Sequence, residues 1–191
     1  FFIGKNSRVK YVEKHYGSGD GKGQRIMNPE TIIEVGENSV MEMDTVQIKG
    51  VDSTKRMTRA KLLEGASLKV MERLMTHGTQ DAESRFIVDM DGADSGANII
   101  SRSVAKDDSR QLFQSVLNGN AACSGHTECD AIIVGNAKIS SIPEITANSS
   151  DAALIHEAAI GKIAGEQIVK LMTLGLTEEE AEAQIINGFL K

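Results

Sequence analysis

The chain has 191 residues, 40% of them hydrophobic but only 4% aromatic, with no Trp and a net charge of −6. That length allows one good core or two small ones, while the shortage of aromatics argues against base-stacking platforms. No Lys/Arg cluster is long enough to follow a phosphate backbone, which argues against nucleic acid, and no apolar run approaches the ~20 residues of a membrane span.

The opening FFIGKNSRVKYVEKHYG has no initiator Met and no signal-peptide pattern, and its first residues already read as half-buried strand. It is expected to be part of a longer protein whose N-terminal portion precedes it. GDGKGQ at 19–24 is glycine-rich but lacks the Gly-Lys-Ser/Thr ending of a phosphate-binding loop. It reads as a mobile loop.

From 31 to 150 the chain alternates apolar and polar residues in short bursts: TIIEV, SVMEMDTVQIKGV, SLKVMERLMT, SRFIVDMDG, QLFQSVLNG, CDAIIVG. Period two, punctuated by Gly or Asn, is strand texture. Gly36, Gly65, Gly92 and Gly119 follow one another at 29, 27 and 27 residues in related contexts. A return distance of that size predicts coils of a solenoid. A flat antiparallel sandwich also supplies many short strands, but it does not require the return. The expectation is a mainly β chain, with a β-helix-like solenoid over 1–150.

Residues 151–191 read as a helical segment. Ile163, Val169, Leu171, Met172 and Leu174 fall at helical spacings, and Gly175 is placed to end that helix in a left-handed cap. LTEEEAEAQIINGFLK then restarts with a capping box, Thr177 at the N-cap and Glu180 at N3. Glu178 and Glu179 suit the helix dipole. The segment carries −4 of the net charge of −6. Two helices this short are marginal alone, so they are expected to dock on the strand domain or on a partner.

The His156-Glu157 pair in LIHEAAIG is not a zinc-protease helix, because H-E-x-x-H would need a second His where Ile160 stands. No G-x-S-x-G occurs. Two cysteines are too few for a disulfide framework; Cys123 and Cys129 could pair, but in a cytosolic chain free thiols or metal ligands are expected. AACSGHTECDAIIVG crowds Cys123, His126, Glu128 and Cys129 into seven residues. The spacing is not that of a zinc knuckle, and a half-buried cysteine acting as a small hydrophobe is the competing structural reading. Cys129 and His156, however, are 27 residues apart, the spacing of the glycines. Stacked on neighbouring coils, a thiolate, an imidazole and the Glu157 carboxylate would converge on the last coil, a set suited to iron or zinc.

The order ECDAIIVG, PEITANSSDAALIHEA, GEQIVKLMTLGLTEEEAEAQIINGF resembles the C-terminal half of the SufB/SufD proteins, over residues 95–191 and more weakly upstream. The chain looks most like the short SufB-like members of archaea and anaerobic bacteria, often labelled permease components after their ATPase partner. The resemblance implies a right-handed parallel β-helix with flanking helical segments, acting in the cytoplasm in iron–sulfur cluster assembly. It implies pairing through the β-helix, as a homodimer or with a paralogue, and docking of the ABC ATPase SufC on the C-terminal helices. It also implies a SufB-like set of cluster residues: Cys129 of the C-D pair, Glu157 of H-E-A and the neighbouring His156. The cluster is then transient cargo, the chain has no turnover of its own, and ATP is hydrolysed by the partner. Cys123 and His126 receive no role. The strands from QLFQSVL to AIIVG are the expected interface. Two alternatives stand beside this reading: a SufD-like structural partner without ligands, and a β-helix enzyme of the polysaccharide lyase or acyltransferase kind. The enzyme would want aromatic sugar platforms, which are missing.

Overall fold

Period-two alternation becomes strand after strand in the computed structural model, which describes residues 1–17 and 23–191. Most of the glycine-rich 19–24 stretch, expected as a loop, lies outside the described residues. The strands are β1 (Phe2–Ile3), β2 (Arg8–Tyr16), β3 (Ile26–Met27), β4 (Glu30–Val35), β5 (Val40–Lys49), β6 (Ser53–Leu62) and β7 (Ser67–Thr76). They continue as β8 (Asp81–Met90), β9 (Ser95–Ala105), β10 (Arg110–Gly119), β11 (Cys123–Ile133), β12 (Lys138–Ala147) and β13 (Ala153–Gly161). Helices α1 (Gly165–Thr173) and α2 (Glu178–Phe189) close the chain. Strand makes up 59% of the described residues, wound into a solenoid of about 6 turns, so the solenoid rather than the tail holds the core.

Two parallel sheets form its walls. One runs β1-β4-β6-β8-β10-β12, with β3 also on β6; the other runs β13-β11-β9-β7-β5-β2. From β4 onward, successive strands belong to alternate sheets, so parallel neighbours need only two corners between them and no helical crossover. Register partners are one coil apart: Val40 lies opposite Ser67, Leu68 opposite Ala97, and Ser95 opposite Cys123. The length of the return is therefore close to constant along the solenoid but not identical from coil to coil.

Each corner needs a backbone turn that most side chains resist. Gly50, Gly78, Asp107 and Gly135 adopt positive φ on successive coils, and Asn38, Gly65 and Asp94 do so at the other corner. Gly takes this conformation freely, and Asn and Asp tolerate it. Gly92, another of the repeating glycines, is needed for a different reason: a Cβ there would lie 2.0 Å from the Glu64 nitrogen on the previous coil.

The interior has two chemistries. One half is apolar, built from Leu62, Val88, Met90 and Leu117 with Leu68, Val70 and Ile99. The other half holds buried Thr45, Arg56, Glu72, Ser84, Ser101, Ser103 and Gln111. Buried charge requires partners, and these groups supply them. Arg56 donates to the Glu13 carboxylate at 3.2 and 3.3 Å, and Glu72 accepts from Ser84 Oγ at 2.5 Å and Ser101 Oγ at 2.8 Å.

The tail departs from expectation at its start. Residues 153–161, expected as helix, are strand β13, paired with β11 from Ser124–Ala153 to Ile132–Gly161. The solenoid therefore runs past 150, and helix begins only at Gly165. Leu154 and His156 continue the inward positions while Ile155 and Glu157 are exposed, and the free edge of β11 captures the segment. The capping box is present: Thr177 Oγ1 accepts from the Glu180 amide and Glu180 accepts from the Thr177 amide. Helix α2 docks on the strand domain, with Ile186 and Leu190 packed against Val104, and Lys106 donating to Glu182 at 2.7 Å. Helix α1 buries no residue. Among the described residues no helix is long and apolar enough to cross a membrane.

Candidate functional site

The last coils carry the residues singled out by the sequence. Alternation along β11 sends Cys123, Thr127 and Cys129 inward and His126, Glu128 and Asp130 outward. On β13, His156 turns inward and Glu157 outward. The register pairs Thr127 with His156, Glu128 with Glu157, and Cys129 with Ala158. The return between these strands is two positions longer than the glycine spacing suggests, so Cys129 does not stack on His156 as expected. Cys129 and His156 share the interior face two positions apart, and Glu157 lies on the opposite face of the sheet.

Cys129 is 1% exposed, with Ser101 beside it on β9. Burial pushes its thiol up to about 11, the Glu72 and Asp130 carboxylates add to this, and the nearby Ser141 hydroxyl opposes it. At neutral pH the sulfur is a covered thiol, whereas sulfur acceptance needs a reachable thiolate. His156 Nδ1 is 2.6 Å from Thr127 Oγ1, which is in turn 3.3 Å from Ser115 Oγ. Burial, with a smaller effect of His126, lowers the His156 pKa and favours the neutral ring. Cys123 packs in the core as a small hydrophobe, and both cysteines are free. Six residues along one strand separate their Cα atoms by about 20 Å, far beyond the reach of a disulfide.

The outer face assembles a different set. His126 Nδ1 is 3.0 Å from Asn98 Oδ1, and His126 Nε2 is 3.3 Å from Glu157 Oε2. Ligand atoms of His126, Glu128 and Glu157 all lie within 4.8 Å of one another. A hydrogen bond with Asp130, then burial, raises the Glu128 pKa. Of the expected site residues, only Glu157 belongs to this set. His126 and Glu128 were visible in the crowded HTEC stretch, and Glu128 is the register partner of Glu157 one coil back. Asn98 had no local signal. Arg56 and Glu72 were missed, although each stands at an inward position of its strand, Glu72 between Leu68, Val70 and Leu74.

Fold and site together define a parallel β-solenoid whose final coils gather a thiol, two imidazoles and several carboxylates. Residues 1–189 match the family described as SUF system FeS cluster assembly, SufBD core domain, and the chain belongs to that family. It is similar to an iron-sulfur cluster assembly SufBD family protein of Methanocaldococcus jannaschii, 30% identical over 98% of this chain and 60% of the relative. Proteins of the same description from Methanothermobacter thermautotrophicus and Pyrococcus horikoshii are 30% and 31% identical, over 100% and 98% of this chain. The chain spans 46% and 57% of those two relatives, so it is about half the length of the proteins it matches.

Proposed function

We propose that this chain is a scaffold of the SUF machinery that holds a transient iron–sulfur cluster as cargo, with no turnover of its own. The observation that carries the reading is family membership over residues 1–189 together with Cys129, His156 and Glu157 on the paired strands β11 and β13. Because β13 is the terminal strand of its sheet, cargo at the open end meets His156 from the interior side and Glu157 from outside. Cys129 joins when iron displaces its proton, since a metal-bound thiol is held deprotonated. A mixed thiolate, nitrogen and oxygen set releases a cluster more readily than four thiolates.

A SufC-like ABC ATPase engages the C-terminal helices in the cytoplasm. In support, α1 buries nothing and exposes Val169 and Met172, with Leu174 exposed at its C-cap. A second copy or a paralogue pairs with the β-helix. The strands expected at that interface, β10 and β11, each have a neighbour on both sides; the free edges at this end belong to β12 and β13. A second reading, a SufD-like partner without ligands, is favoured by the burial of Cys129 away from Glu157.

Anaerobic reconstitution with iron and sulfide decides between them. The scaffold should yield a brown protein with a cluster Mössbauer spectrum, lost in Cys129→Ser and reduced in Glu157→Ala. Equal cluster yield in wild type and Cys129→Ser would reject the assignment of Cys129, and no cluster in the wild type would favour the SufD-like reading.

A further inference from the structure

We propose that His126, Glu128 and Glu157 form a divalent transition-metal site on the outer face of β11 and β13, with Asn98 as the positioning residue that sets the imidazole. On the scaffold reading, which this deepens, it is where ferrous iron is first held, separate from the interior thiol.

Three observations carry it. The ligand atoms of two carboxylates and one imidazole, from two paired strands, converge within 4.8 Å. Metal bonds of about 2.1 Å place adjacent ligands about 3.0–3.4 Å apart, and His126 Nε2 and Glu157 Oε2 are at 3.3 Å. The Glu157 side chain is 66% exposed, so its carboxylate is free to close the wider separations.

The second observation is the orientation of the ring. Asn98 Oδ1 only accepts, so His126 Nδ1 carries the proton of that 3.0 Å bond. Nε2 is then the nitrogen that faces the Glu157 carboxylate, at 3.3 Å, and is the ring atom placed to bind a metal shared with it. Histidine ligands characteristically have their other nitrogen bonded in this way.

Third, the donor types select the ligand. Two carboxylates and an imidazole offer oxygen and nitrogen donors, and the imidazole favours ferrous iron, cobalt or zinc over magnesium or calcium. The absence of sulfur from the set disfavours copper(I). Open coordination positions on the solvent side would remain for water or sulfide.

Anaerobic titration of the purified chain with Co²⁺, followed by its visible spectrum and by calorimetry, tests the site. One equivalent should bind without a thiolate charge-transfer band, and binding should persist in Cys129→Ser. His126→Ala and Glu128→Gln should each weaken binding at least tenfold, and Asn98→Ala about 10–100-fold. All three positions are on the outer face, and unchanged thermal melts will verify folding. Undiminished binding in a His126→Ala/Glu128→Gln double variant overturns the proposal. So does a charge-transfer band that disappears with Cys129, or no saturable binding, the result of a plain imidazolium–carboxylate pair. If Co²⁺ binds as stated but reconstituted cluster is indifferent to Cys129→Ser, the metal site stands and the cluster reading falls. If cluster depends on Cys129 but Co²⁺ does not bind at His126, the cluster reading stands and the metal site falls.

Discussion

Cys129 and Glu157 stand on adjacent strands of one sheet but one position out of register, so the sulfur faces the solenoid interior and the carboxylate faces solvent. One species can bind both only around the open edge of β13 or through a rearranged last coil. That separation, and the polar half of the core behind it, can be probed by titration and by mutation.

The covered thiol makes the protein sensitive to alkali. Below the ordinary thiol value of 9.0 both folded and unfolded chains keep the Cys129 proton; above it the unfolded chain ionises first, and stability is lost as pH rises toward about 11. A shift of that size corresponds to roughly 2–3 kcal/mol. Urea midpoints should fall over this window in Cys123→Ser and fall less in Cys123→Ser/Cys129→Ala. Iodoacetamide should label Cys129 far more slowly in the folded chain than in the unfolded one; equal rates would contradict the burial.

His156 acts on the acid side. Its pKa is lowered from the ordinary value of 6.5, mainly by burial. Its contribution is present above that value and is lost as pH falls through the folded pKa, because the unfolded chain takes up the proton more readily. His156→Gln should flatten the acid limb of the stability–pH curve. A limb of unchanged slope would assign it to other groups.

Glu72 is the most constrained acid in the interior, 4% exposed and bonded to Ser84 and Ser101, with Arg56 Nε 3.9 Å away. Glu72→Ala removes one partner of a buried charge pair and should destabilise by about 3–5 kcal/mol. Glu72→Gln, which keeps a polar group there, should cost less. Denaturant titration gives both values, and the reverse ranking would place the main cost in the lost charge rather than in packing.

Helix α2 is part of the solenoid's stability as well as a surface element. Thr177→Ala removes a capping hydrogen bond and should cost about 1 kcal/mol, with hydrogen exchange rising first in the opening turn of α2. Ile186→Ala uncovers Val104 and should cost about 2–5 kcal/mol. ATPase docking is therefore better tested with Met172→Asp on exposed α1, or Leu174→Asp at its C-cap, than by deleting α2.

Self-association should use the uncovered end of the solenoid, where exposed strand edges invite pairing. Ile142 and Ile145 on β12 and Ile155 on β13 are 49%, 42% and 56% exposed beside those edges. Light scattering should show a dimer in the wild type and a monomer in Ile155→Lys. A monomeric wild type at micromolar concentration would remove the proposal.

The solenoid was legible because two signals agree: alternation within each burst, and a nearly constant return between bursts. The glycine repeat was diluted because Asn38, Asp94 and Asp107 fill corners that Gly65 and Gly78 fill elsewhere. Strand β13 was missed because it is an edge strand in an alanine-rich segment, and its exposed Ile155 and Ile160 blur the alternation. The site was legible in its residues but not in its geometry. Coil length varies by one or two residues with the corners, and an error of one residue turns a side chain to the other face of the sheet. Cys129 and Glu157 differ by such a step. The polar interior around Arg56 and Glu72 was readable only once the inward positions of their strands were known.

Among the described residues, β12 and β13 have a strand neighbour on one side only. In a chain of stacked units, where each coil is held chiefly by the coils next to it, the end unit opens at a lower free energy than the middle. Opening β12 and β13 breaks the Thr127–His156 contact and withdraws Ser141 and Ala158 from around Cys129, while the preceding coils remain closed. The thiol is thus guarded by an end turn of the spring. A partner that clamped or pulled on that turn would set how often the sulfur meets solvent, without unfolding the rest of the molecule.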